Sequence, residues 1–146
     1  MNPHSSVVIL ALCLGACSLA QASDWVEASS GEGAVAKVDT ESIRRTGNKV
    51  KAWVNWQFTT TTPSDGAPQK SFSSTKNLTV FDCSEPKSVV ISYIEYEEQF
   101  GGNSVWSHQQ ADEPTRYQHL APDTMGEAVW KFACTYKLAA QSKRRK

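Results

Sequence analysis

The sequence has no net charge, with 15 lysines and arginines against 15 aspartates and glutamates, so no global excess of either sign directs it towards nucleic acid, an anionic membrane or an acidic substrate. It also lacks an apolar run of membrane-spanning length. Residues 7–14 form a short apolar stretch, far below the roughly 20 residues that a transmembrane helix requires. Histidine is scarce, at 3, and cysteine numbers 4. There is no Gly-x-Ser-x-Gly elbow, no Cys–His pairing, and no second Cys or His at ligand spacing beside either of the later cysteines, so the usual sequence signatures of acyl-transfer nucleophiles and zinc centres are missing. With 146 residues there is room for one compact domain and none for a second.

Charge is unevenly distributed within that neutral total. Lys143, Arg144, Arg145 and Lys146 are all basic, which leaves a mildly acidic body ahead of a basic tail, assigned to residues 139–146. That tail is expected to be flexible and solubilising, because no aromatic residue is interleaved among its cations to stack on a base, and no nucleic-acid partner is expected. At the other end, residues 1–22 carry no charged side chain and pass from the apolar run into small residues, the layout of an export signal. Two cuts fit. Ala20-Gln21-Ala22 suits ordinary signal peptidase and releases a soluble chain beginning at Ser23. Leu14-Gly15-Ala16-Cys17 resembles a lipobox, which makes Cys17 the candidate for lipidation and would anchor the chain to a membrane. Export to the periplasm is the favoured expectation, and an outer-membrane or surface lipoprotein is the alternative.

Cys13 and Cys17 fall within the export signal, so the mature domain, residues 23–138, keeps Cys83 and Cys134. An even pair in an oxidising compartment predicts one disulfide. By the chain-entropy relation, closing the loop of about 50 residues between Cys83 and Cys134 stabilises the fold by about 4 kcal/mol, a large share of a small domain's stability.

Along the mature chain, 24–28 and 34–39 read as a hairpin around the glycine-rich 29–33, and 41–45 as a single helical turn ended by Gly47-Asn48. The clearest strand starts at Val50. Val50, Ala52, Val54, Trp56 and Phe58 fall on one face, opposed by Lys51, Trp53, Asn55, Gln57 and Thr59. The polar stretch 59–68 reads as a connecting loop. Further strands are predicted over 71–81, 89–98, 104–109 and 115–120, with Gly101-Gly102 as a break, about seven in all. The apolar residues on both faces of 89–98 mark it as an interior strand. A helix is predicted over 124–134, where Thr124 and Glu127 have capping-box spacing and Met125, Val129, Phe132 and Tyr136 recur near helical period. The fold class is α+β: a twisted antiparallel sheet with one C-terminal helix packed on it and tied by the Cys83–Cys134 bridge.

Candidate chemistry is thin. Glu95 and Glu97 share a strand face and would serve as an acid–base pair, but a solvated strand edge is the more common outcome. His108 and His119 would meet on a metal only if their strands paired. Neither a catalytic residue nor a cofactor-binding or metal-binding residue is assigned, and no cofactor is expected. Trp53 on the polar strand face is a candidate exposed anchor for a partner, though a helix over that face would bury it. Trp25, Trp106 and Trp130 are expected to be largely buried.

A series of short motifs runs through the mature domain: Asp24-Trp25-Val26, Val38-Asp39 with Ser42-Ile43, Val50-Lys51-Ala52-Trp53-Val54, Leu78-Thr79-Val80-Phe81-Asp82-Cys83, and Pro122-Asp123-Thr124 leading to Cys134. In order and spacing it resembles the surface-adhesin protein E family. The resemblance implies a twisted antiparallel sheet with a disulfide-tied C-terminal helix in exported proteins of Gram-negative bacteria, with host matrix proteins among the partners. Here the segment after Cys83, residues 84–88, holds one base and one acid rather than arginines, so no ligand-contact residue is carried over. The expected function is a non-enzymatic cell-envelope binding module with a protein or glycan partner. The alternative is a soluble periplasmic small-ligand-binding or envelope-assembly accessory domain, which a deep apolar pocket with convergent polar groups would favour.

Overall fold

A computed structural model describes the backbone of residues 23–31 and 33–144, with side chains as far as residue 136. The expected export signal, residues 1–22, with both candidate cleavage points and Cys17, lies outside the described residues, as do Arg145 and Lys146. β1 (Trp25–Gly31) and β2 (Ala34–Asp39) form the N-terminal hairpin. A 3₁₀ turn (Thr40–Ser42) leads to β3 (Arg44–Thr46), then to the long strands β4 (Lys49–Pro63), β5 (Ser71–Asp82), β6 (Lys87–Glu98) and β7 (Gly101–Gln109). A second 3₁₀ turn (Pro114–Arg116) and the short β8 (Gln118–His119) precede α1 (Met125–Arg144). The result is an eight-stranded antiparallel sheet ordered β1-β2-β4-β5-β6-β7, with β3 beside β4 and β8 beside β6. The expected α+β class holds, and β6 is interior as its two apolar faces predicted.

One sheet face and one helix face make the core. The period-two pattern of β4 turns Val50, Ala52 and Val54 towards α1, where they meet Ala36 and Val38 of β2, Phe81 of β5, and Val129 and Ala133 of the helix. Each of the valines and the phenylalanine contributes roughly 1.5–3 kcal/mol by leaving water. Three tethers hold the helix in place. The Cys83–Cys134 disulfide joins it to the end of β5, with Cα atoms 5.6 Å apart. Trp130 Nε1 donates to the Asp82 carbonyl at 2.7 Å. Arg45 Nη2 donates to the Cys134 carbonyl. At the helix start, the Glu127 amide donates to Thr124 Oγ1 at 3.3 Å, while Glu127 Oε2 accepts from the Asp123 amide at 3.0 Å. The reciprocal cap forms, with the glutamate reaching one residue further back than the predicted box.

Several expectations are corrected. The threonine run within 59–68 is strand, not loop: β4 continues to Pro63, which pairs with Ser71, and Thr62 pairs with Phe72. β-branched threonine suits an extended arm once a partner strand satisfies its backbone, so the turn shrinks to residues 64–70, closed by Ser64 N–H to the Lys70 carbonyl at 3.0 Å. The expected break after the strand 89–98 falls at residues 99–100, and Gly101-Gly102 already belong to β7, with φ of 145° and 86°. Of region 115–120, Thr115 and Arg116 end a 3₁₀ turn and only Gln118 and His119 are strand, as β8. The helix runs past Cys134 to Arg144. It lies on the Val50–Ala52–Val54 face, so Trp53 on the opposite face is half-buried without helix cover.

That opposite face is concave. Four strand spacings separate β1 from β6, about 19 Å if the sheet were flat, yet the Trp25 ring of β1 meets Phe100 in the β6–β7 turn edge to face at 5.3 Å between centroids. Gln99 Nε2 in the same turn donates to the Phe58 carbonyl of β4 at 2.6 Å. The sheet therefore curls away from α1, and the β6–β7 turn overhangs its hollow.

Candidate binding sites

The hollow gathers aromatic rings around a cation. The registers put Trp25, Lys37, Lys76 and Tyr96 on the concave face. Lys76 Nζ lies 5.6, 5.2 and 5.4 Å from the ring centres of Trp25, Tyr96 and Phe100, and Lys37 Nζ lies 5.6 Å from that of Phe100. Each contact falls within cation–π range. Neither ammonium is part of an ion pair among the described residues. Phe100, at 40 % exposure, is the exposed large hydrophobic among them. Sequence reading missed this cluster because its members come from three distant segments; the only local signal was Phe100 standing alone in a polar turn.

A second, polar concavity lies beside β3 and β4. Lys49 Nζ sits 3.6 Å from Asp112 Oδ1 and 4.6 Å from the Tyr117 ring centre, and Tyr117 Oη donates to Asp112 Oδ1 at 2.8 Å. Hydrogen bonding to Tyr117 holds the Lys49 ammonium above its ordinary value, and burial raises the Tyr117 hydroxyl. The charges here are largely matched within the chain, Lys87 with Glu85 at 2.7 Å and Arg116 with Glu113 at 3.1 Å.

On the helix side the sequence candidates separate. Glu95 is 3 % exposed rather than on a solvated edge, because β6 is paired on both sides, and its Oε2 has no hydrogen-bond partner. Glu97 is exposed whereas Glu95 is buried, so the two carboxylates sit in different surroundings. Burial pushes the neighbouring Tyr93 hydroxyl up to about 12, with the Glu95 charge and a hydrogen bond to it adding to the shift. His108 is opposite Tyr93 and stacks on Trp106 at 5.8 Å, whereas His119 is opposite Lys87 at the far end of β6. The histidines do not converge, and no cluster of three or more metal-donor residues occurs among the described residues. Trp25, Trp53, Trp106 and Trp130 are all half-buried. Among the described residues, no helix is long and apolar enough to cross a membrane.

A third concavity of about 190 Å³ lies between α1 and the sheet, with Val54, Trp56, Asn77, Thr79 and Phe81 among its lining residues.

The profile of the surface-adhesin protein E family matches residues 25–135. No curated protein sequence matches the chain. Among solved structures, the selenomethionine form of Haemophilus influenzae protein E is 14% identical over 73% of this chain and 89% of that one, with a TM-score of 0.50. Protein E from non-typeable Haemophilus influenzae is 16% identical over 84% of this chain and 99% of that one, with a TM-score of 0.48. At such identities the first likeness speaks to the fold alone.

Proposed function

Since the chain belongs to the surface-adhesin protein E family, an adhesin-like class of exported or surface-exposed proteins, we propose that it is a non-enzymatic binding module of the cell envelope. Its working surface is the concave sheet face, and its partner is an extracellular protein or glycan. The observation that carries this reading is the Lys76 ammonium held among Trp25, Tyr96 and Phe100, with Lys37 beside Phe100. Tryptophan and tyrosine are among the residue types that dominate interface energies. The different surroundings of Glu95 and Glu97 and the separation of His108 from His119 support a binding role over a hydrolytic one.

The test is retention of the purified mature chain on immobilised matrix proteins and glycans. Phe100→Ala and Lys76→Ala are each expected to weaken a retained interaction at least tenfold, while a substitution at exposed Lys131 of α1, across the sheet, leaves it unchanged. Equal retention of all variants would remove the concave face from the binding account.

A further inference from the structure

We propose that the β3 side of the polar concavity is a binding site for a phosphate group carried as a monoester on a small sugar. Arg44, Thr46, Lys49, Lys51, Val80 and Asp112 line a space of about 280 Å³, just under the roughly 300 Å³ at which pockets for drug-sized ligands begin. It lies on the sheet face away from α1, as the aromatic hollow does, but the two share no residue. The site therefore stands or falls independently of the function proposed above.

Strand register creates the site. Arg44 of β3 pairs directly with Lys51 of β4, and Thr46 with Lys49, so three cations and a hydroxyl share one face of the β3–β4 corner. Like charges directly opposite each other destabilise a strand pair, and no carboxylate of the chain relieves this one. Asp112, the acid in the lining, is engaged instead by Lys49 at 3.6 Å and by the Tyr117 hydroxyl at 2.8 Å. Neither Arg44 nor Lys51 is part of an ion pair among the described residues. Three positive charges against one negative leave an excess of two.

That excess selects the ligand. A phosphate monoester carries about −1.5 to −2 at neutral pH and neutralises it, whereas a carboxylate supplies half as much. Its three terminal oxygens accept from Arg44, Lys51 and Thr46, and donors that are charged make such bonds roughly twice as strong as neutral ones. Arg44 is already set in place. Its Nη1 donates to the carbonyls of Glu41 at 2.7 Å and Ile43 at 2.9 Å, which fixes the guanidinium before a ligand arrives and lowers the ordering cost of binding. Val80, 4 % exposed, supplies an apolar floor, beside which charges attract more strongly than in open water.

The experiment titrates the ¹⁵N-labelled mature chain with glucose 6-phosphate and with glucuronate at constant ionic strength, following the amides of Thr46, Lys49, Lys51 and Val80. Glucose 6-phosphate is expected to give saturable shifts at these residues, with glucuronate, a sugar of single charge, bound roughly tenfold more weakly. Because the monoester's second ionisation lies near pH 6, its affinity is expected to fall about fourfold between pH 7.5 and 5.5 as the dianion is protonated. Lys51→Gln is expected to weaken binding roughly tenfold, while its urea midpoint holds or rises because the cross-strand repulsion is gone, which separates a lost site from a failed fold. Lys131→Gln on α1 removes the same charge elsewhere and is expected to leave the affinity unchanged. Absence of saturable shifts in the parent chain, equal affinities for the phosphate and the carboxylate, or equal effects of Lys51→Gln and Lys131→Gln would each overturn the assignment.

Discussion

At the residue scale, the family motifs turn out to be joints of the scaffold. Asp39 Oδ1 accepts from the Asp24 amide at 3.0 Å and the Glu41 amide at 3.2 Å, tying the chain start to the first 3₁₀ turn. Ser42 Oγ accepts the Trp53 amide at 2.9 Å, which fixes that turn against β4. Asp82 accepts from Ser84 through both hydroxyl and amide, and these bonds hold its carboxyl below the ordinary range. Tyr93 gives the clearest pH dependence. Unfolded, its hydroxyl titrates near 10.0, whereas in the folded chain it holds its proton to about 12. The stabilising contribution is therefore complete below the lower value and is lost as pH rises through the higher one. Urea midpoints measured across this window are expected to fall more steeply for the parent chain than for Tyr93→Phe, and parallel curves would contradict the assignment.

At the element scale, α1 was legible because its signals are local. Thr124, Glu127 and the apolar spacing from Met125 to Tyr136 sit within a few turns, and the cap they predicted forms. Thr124→Ala is expected to destabilise the fold by about 1 kcal/mol, read as a lower urea midpoint with an unchanged slope. Removing the bridge by Cys83→Ala with Cys134→Ala is expected to cost about 2–4 kcal/mol, less than a free helix would forfeit, because the Trp130 and Arg45 hydrogen bonds remain. The strand arm through Thr62 and Pro63 was illegible for the opposite reason: its extension depends on pairing with Phe72 and Ser71 across the hairpin. Glu95 was misread in the same way. Its strand has no solvated edge where it lies, because β5 and β7 flank it.

At the scale of the whole molecule, processing and oxidation are read together by the intact mass of chain recovered from an envelope fraction. The proposed mature form begins at Ser23 and gains about two daltons on reduction as one bridge opens; an acylated Cys17 at the N-terminus would replace that reading with a membrane-anchored adhesin. The sequence by itself determined the α+β class, the interior position of β6, the capped helix and the cysteine pair, because periodicity, caps and cysteine parity act over short separations or by count. Only the tertiary structure decided which face the helix covers, how far the sheet curls, and that Trp25, Lys76 and Phe100 meet in one hollow while Asn77 lines another. Those contacts arise from strand register and twist accumulated over the sheet, and no local stretch of the chain encodes them.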